Sequence, residues 1–123
     1  MVRRWFAALN QGDPAPEMCD PGIEISNWAE SPVPGPYTGP DGVRRWWQDL
    51  DDSIAGVRFE LASLELIDEN RVLTIQRLIG VFRYMEMEVD WRWGSIIAVR
   101  DGKIANAVGY RTADEARRAA GLD

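Results

Sequence analysis

From Met85 to Val99 the chain alternates apolar and polar positions. Met85, Met87, Val89, Trp91, Trp93, Ser95, Ile97 and Val99 stand on one side; Glu86, Glu88, Asp90, Arg92 and Gly94 open the other. Strand side chains point alternately to two faces, so this period of two predicts a strand with one buried and one wet face. Its length far exceeds the roughly five or six residues usual for a globular strand. In so short a chain such a strand requires a strongly curved sheet. The buried face carries two indoles and a serine among aliphatic groups, which suits a sheet wrapped around a cavity.

The rest of the pattern supplies the partners. Val2, Trp5, Phe6 and Leu9 recur on one helical face from Val2 to Asn10, and Gly12-Asp13-Pro14 stops that helix. A helix opening at the second residue is barely three turns long, which leaves room for an upstream extension. Three prolines between Pro14 and Pro21 allow only a short helical turn around Glu17 to Cys19. Ile23, Ile25 and Asn27 share a face of a first strand. A rigid Pro- and Gly-rich loop covers Ser31–Pro40, and Pro40 opens a helix with Val43, Trp46, Trp47 and Leu50 as its apolar stripe. Strands are expected at about 57–67, 71–82, 85–99 and 104–111. Asp68-Glu69-Asn70 and Asp101-Gly102 are turns, and the turn near residue 84 lacks Gly, Asn or Pro. Thr112 with Glu115 has capping-box spacing for a last helix that Gly121 ends. Helices first and antiparallel strands after define an α+β fold.

Composition narrows the chemistry. The 123 residues carry a formal net charge of −6, which argues against a nucleic-acid partner, and the paired arginines 3-4, 44-45 and 117-118 are scattered over helix faces. No apolar run approaches the ~20 residues that span a bilayer and no leader pattern is present, so no membrane is expected and a cytoplasmic location is the default. There is no histidine, which excludes histidine bases, Ser-His-Asp triads and histidine-ligated metals. Cys19 is alone, so the reading is a buried thiol rather than a nucleophile, a disulfide or a zinc ligand. Lys103, the only lysine, follows a turn and is badly placed for Schiff-base chemistry. Neither a metal nor a cofactor is expected, and proton transfer would rest on Asp, Glu or Tyr.

Five segments together carry a resemblance: Arg4–Asp13, Asp20–Glu24, Gly35–Gly39 with Gly42-Val43, Arg100–Ile104 and Glu115–Leu122. In order and spacing they resemble the SnoaL-like branch of the nuclear transport factor 2-like superfamily, which includes polyketide cyclases, ketosteroid isomerases and epoxide hydrolases. The resemblance implies a cystatin-like cone over residues 1–123, a curved antiparallel sheet closed by N-terminal helices over an internal pocket, and members that dimerise. It does not imply a reaction. Ketosteroid isomerases place a tyrosine, an aspartate base and a protonated aspartate where this chain has Trp5, Ile25 and Ser95, none of which can do the job. No steroid-isomerase activity is therefore expected. Limonene epoxide hydrolases need an aspartate about where Gly109 falls, and polyketide cyclases need one inside the pocket, where simple alternation offers none. The short Pro14–Cys19 segment, in place of a full second helix, implies an open mouth.

The candidate ligand-binding residues are Trp5, Ile25, Asn27, Tyr37, Trp47, Trp91, Trp93 and Ser95. Trp91 and Trp93 serve either as stacking walls or as core, and Trp5 and Trp47 converge on them. Ser95 and Asn27 can orient a ligand oxygen or satisfy local backbone, and Tyr37 is a lid or a packed loop residue. Asp90 and Arg92 point outward in strict alternation; a bulge near Val89 would turn one of them inward as the missing acid or anion clamp. Ile96 and Ala98 interrupt the polar outer face, which predicts a homodimer formed there. Two functions follow: a pocket protein that binds or transforms a small apolar, cyclic ligand, or a non-catalytic dimeric scaffold with a filled cone.

Overall fold

The amphipathic segments at the start of the chain have somewhere to bury their stripes only if the strands form a concave wall, and the computed structural model has that arrangement for residues 1–122. Helix α1 (Val2–Asn10) is followed by a 3-10 turn (Pro16–Met18), β1 (Cys19–Ser26), the short β2 (Tyr37–Thr38) and α2 (Gly39–Ser53). Then come β3 (Ile54–Leu66), β4 (Arg71–Phe82), β5 (Glu88–Arg100), β6 (Lys103–Tyr110) and α3 (Ala113–Ala120). The six strands form one curved sheet in the order β2-β1-β6-β5-β4-β3. All neighbours are antiparallel except β1 and β6, which run parallel, with Ile25 opposite Ala107.

The inner face carries the main core. Trp5, Phe6 and Leu9 of α1 and Val43, Trp46 and Leu50 of α2 are buried with Ile23, Ile25, Phe59, Leu78, Val89, Ile97 and Ile104 of the sheet. Pro40 sits in the first turn of α2, where its missing N–H costs nothing. At the far end, Thr112 Oγ1 accepts from the Glu115 N–H at 3.1 Å and Gly121 stops α3 in the left-handed conformation.

Bulges bend the sheet. The β3–β4 register slips between Ala55 and Arg58 and again between Leu61 and Ser63, and β5–β6 slips between Ala98 and Val99. The β4–β5 ladder runs unbroken from Arg71 opposite Ala98 to Val81 opposite Glu88. The bulge that would turn Asp90 inward is therefore absent. Asp90 faces outward and accepts two hydrogen bonds from Arg77, at 3.0 and 2.7 Å, while Arg77 also reaches Glu60 at 3.0 Å.

Two expectations need correction. The strand read as starting at Met85 starts at Glu88. Phe82 N–H donates to Met87 O at 2.8 Å, closing a turn in which Glu86 supplies the positive φ (50°) that glycine usually provides. Tyr84, Met85 and Met87 are exposed at its tip. The apolar outer patch around Ile96 also has an occupant within the chain: Ala113, Ala116, Ala120 and Leu122 pack there on Leu73, Ile75, Ile96 and Tyr110. Gly94 makes that approach possible, since a Cβ at this position would stand 2.6 Å from Ala116 Cβ.

The free edge of β3 is capped by a side chain. Asn10, at the end of α1, accepts from Phe59 N–H at 2.7 Å and donates to Phe59 O at 2.8 Å, as a neighbouring strand would. Asn10→Ala should lower stability by about 1–2 kcal/mol, as read by chemical denaturation. An unchanged midpoint would show that water replaces the amide at no cost.

Candidate functional site

The cone interior is nearly full. Two small cavities remain, of about 30 and about 20 Å³, lined in common by Asn27, Trp46, Phe59 and Trp93. Trp5, Ile25, Ser95 and Gly109 border the first; Trp28, Leu78 and Trp91 border the second. Either volume takes a water-sized group and nothing larger. The Trp93 ring stands at the division, 6.5 Å from Phe59 and 5.8 Å from Trp28 between ring centroids.

Gly109 shapes the floor. A Cβ there would collide with the Asn27 carboxamide and come within 2.8 Å of the Trp93 ring. The missing side chain is what lets Asn27 and Trp93 lie against β6. Asn27 is committed to the fold: its Nδ2 donates to Val33 O at 3.0 Å and its backbone N–H to Pro34 O at 2.9 Å, folding the proline-rich loop back over β1.

A polar group lies at the centre of the wall. Thr74 and Ser95, opposite each other on β4 and β5, share a 2.6 Å hydroxyl contact, and Gln76 Nε2 donates to Ser95 Oγ at 3.3 Å. Thr74 and Gln76 are wholly buried and Ser95 nearly so. Two buried polar atoms here have no hydrogen-bond partner among the described residues, Gln76 Oε1 and Trp93 Nε1, and their residues are cross-strand neighbours. One needs a donor and the other an acceptor. Sequence reasoning missed Thr74 and Gln76 because Val72 to Gln76 are all buried, so β4 has no alternation to read there.

The other candidates take different places. Ser95, Ile25, Trp5 and Trp93 line the first cavity and Trp91 the second, and Asn27 borders both. Trp47 packs 6.4 Å from Phe59 but lines a surface hollow with Gly12, Asp51 and Gly56. Tyr37 lies outside both cavities, buried behind α2, and its hydroxyl donates to Asp49 Oδ2 at 2.8 Å. No residue lining either cavity titrates between pH 3 and pH 10. The interior thus offers hydrogen bonds and apolar contact, not proton transfer. The Arg77 guanidinium, hydrogen-bonded to Asp90, holds its carboxyl below the ordinary value and commits it outside. Burial, helped by the charge of Glu17, pushes the Cys19 thiol up to about 11, so it is a neutral thiol at neutral pH.

Burial first, then the hydrogen bond and charge of Asp49, push the Tyr37 phenol up to about 12 from 10.0, against the opposing charge of Arg45. A raised acid favours the folded state in its protonated form. Its contribution is complete below about pH 10 and falls away as pH climbs toward 12. Ultraviolet titration should show a late-ionising phenol that Tyr37→Phe removes, together with part of the alkaline loss of stability. An unchanged titration in that variant would contradict the Tyr37–Asp49 bond.

Comparison with known proteins bears on the fold and the family. The SnoaL-like domain family matches residues 2–107. No curated protein sequence matches the chain. A nuclear transport factor 2-like protein of Burkholderia thailandensis E264 is similar at 25% identity, over 96% of this chain and 92% of that one, with a TM-score of 0.80. A protein of Catenulispora acidiphila DSM 44928 with a ketosteroid isomerase-like fold, in complex with trimethylamine, is similar at 15% identity, 99% and 92% coverage and TM-score 0.79. TerC, co-crystallised with polyporic acid, gives 12% identity, 98% and 95% coverage and TM-score 0.78.

Proposed function

The chain belongs to the SnoaL-like domain family, and from that premise we propose that it holds a small cyclic ligand inside the cone, an apolar ring system bearing one hydroxyl. The observation that carries this reading is the pair of unmatched atoms, Gln76 Oε1 and Trp93 Nε1, in an otherwise apolar interior. Leaving a buried polar group unsatisfied costs roughly 1–3 kcal/mol, so a core built only for packing gains from aliphatic residues at these positions. A hydroxyl donates and accepts at once and completes both. The ring enters as the Trp93 indole tilts with its Nε1 kept beside Gln76, which joins the two cavities into one space walled by Trp5, Trp46, Trp91 and Phe59. Two structural relatives hold small molecules, trimethylamine in one and polyporic acid in the other, which supports the same use of the fold here. With no titrating group in the lining, the role is binding.

The scaffold reading is favoured by one observation, the small interior volume. Calorimetric titration separates the two. 2-Naphthol should bind about tenfold more tightly than 2-methoxynaphthalene, which accepts but cannot donate; that ratio corresponds to ~1.4 kcal/mol. Gln76→Leu should abolish the preference and leave the melting temperature equal or higher. No heat from either compound would favour a filled cone acting through association, for which a homodimer is the simplest form.

A further inference from the structure

We propose a second, outer binding site for a planar aromatic carboxylate, in the cleft along the free flank of β5. It does not depend on occupation of the cone. β6 ends at Tyr110, opposite Gly94, so Glu88–Trp93 pair with β4 on one side and with no strand on the other. Alternate backbone N–H and C=O groups of that stretch have no ladder partner on that flank. The cleft measures about 330 Å³ and is lined by Trp28, Glu30, Asp90, Trp91, Arg92, Trp93 and Arg111. That volume lies within the ~300–1,000 Å³ of small-molecule sites. Of the three spaces that Trp93 borders, this one alone admits an aromatic ring.

The walls set the ligand's shape. Trp28 meets Trp93 edge to face at 5.8 Å, with Trp91 one inward position along the strand. A flat ring placed there stacks on one indole and meets the edge of another.

The charges set its sign. Arg92 stands directly opposite Arg77 across the β4–β5 ladder. Like charges in that position repel. Arg77 is occupied by Asp90 and Glu60, which also spends the negative charge of Asp90. Arg92 has no carboxylate within ion-pair distance among the described residues, and Arg111 holds Glu115 only at 3.6 Å. A carboxylate between Arg92 and Arg111 relieves the repulsion and matches the planar fork of a guanidinium. Glu30, the remaining acid of the lining, disfavours a carboxylate beside it.

The test is calorimetric, on the intact chain, with 2-naphthoate and its neutral counterpart methyl 2-naphthoate, which has no hydroxyl for the cone. Naphthoate should bind at least about tenfold more tightly, and added salt should reduce the difference. Arg92→Gln and Arg111→Gln should each lower naphthoate affinity by about the same factor without lowering the melting temperature, because both side chains are exposed. Trp28→Phe should weaken both compounds and keep their ratio. Equal affinity for the two compounds overturns the proposal, as does full naphthoate affinity in both arginine variants or no binding of naphthoate at millimolar concentration. None of these results bears on 2-naphthol in the cone, which Gln76→Leu addresses separately.

Discussion

Trp5→Ala should cost the protein about 3–5 kcal/mol. Its indole is 3% exposed, stands 5.8 Å from Trp46 and 6.3 Å from Phe6, and donates from Nε1 to Pro14 O at 3.0 Å. Truncation opens a void between the two inner helices and strips a partner from the carbonyl that holds the chain after α1. Helix α1 stays tied through the two Asn10–Phe59 hydrogen bonds and through buried Phe6 and Leu9, so the loss is that of the void and the severed bond. Urea denaturation measures the loss. A change below about 1 kcal/mol would mean that the inner helices collapse into the space, and the packing described for the cone would be wrong.

Trp93→Ala should cost less, about 2–3 kcal/mol, below the usual range for a buried tryptophan. The ring already borders two cavities and the outer cleft, so it forfeits fewer contacts on removal. Its loss also discards an unsatisfied donor, which offsets part of the cavity term. A penalty of about 5 kcal/mol would identify Trp93 as plain core and leave no room for the ring to move.

The sequence makes the wall legible where burial is one-sided. Trp91, Trp93, Ser95 and Ile97 alternate with Asp90, Arg92 and Gly94, and the structure keeps that register. The same period misleads at Met85–Met87, because an exposed turn that alternates by chance looks like strand when Glu86 replaces the expected glycine. Gln76 and Thr74 were invisible for the opposite reason: α3 covers the outer face of their strand while the core covers the inner, and period two vanishes. Ile96 read as an intermolecular patch because nothing in local spacing says that a helix 17 residues later returns to cover it. Trp28 follows β1 in an irregular segment, where no periodicity assigns a face, and only the three-dimensional path brings it to Trp93.

The central claim, that Trp93 and Gln76 await a ligand hydroxyl, is tested most directly at the Trp93 indole itself. In a nitrogen-15 correlation spectrum the chain's six tryptophans give six side-chain N–H signals, and Trp93→Phe assigns one of them. Adding 2-naphthol should move the Trp93 signal downfield as its unpaired N–H gains an acceptor, while the Trp47 signal stays in place. A Trp93 signal that remains fixed at saturating 2-naphthol would contradict the claim.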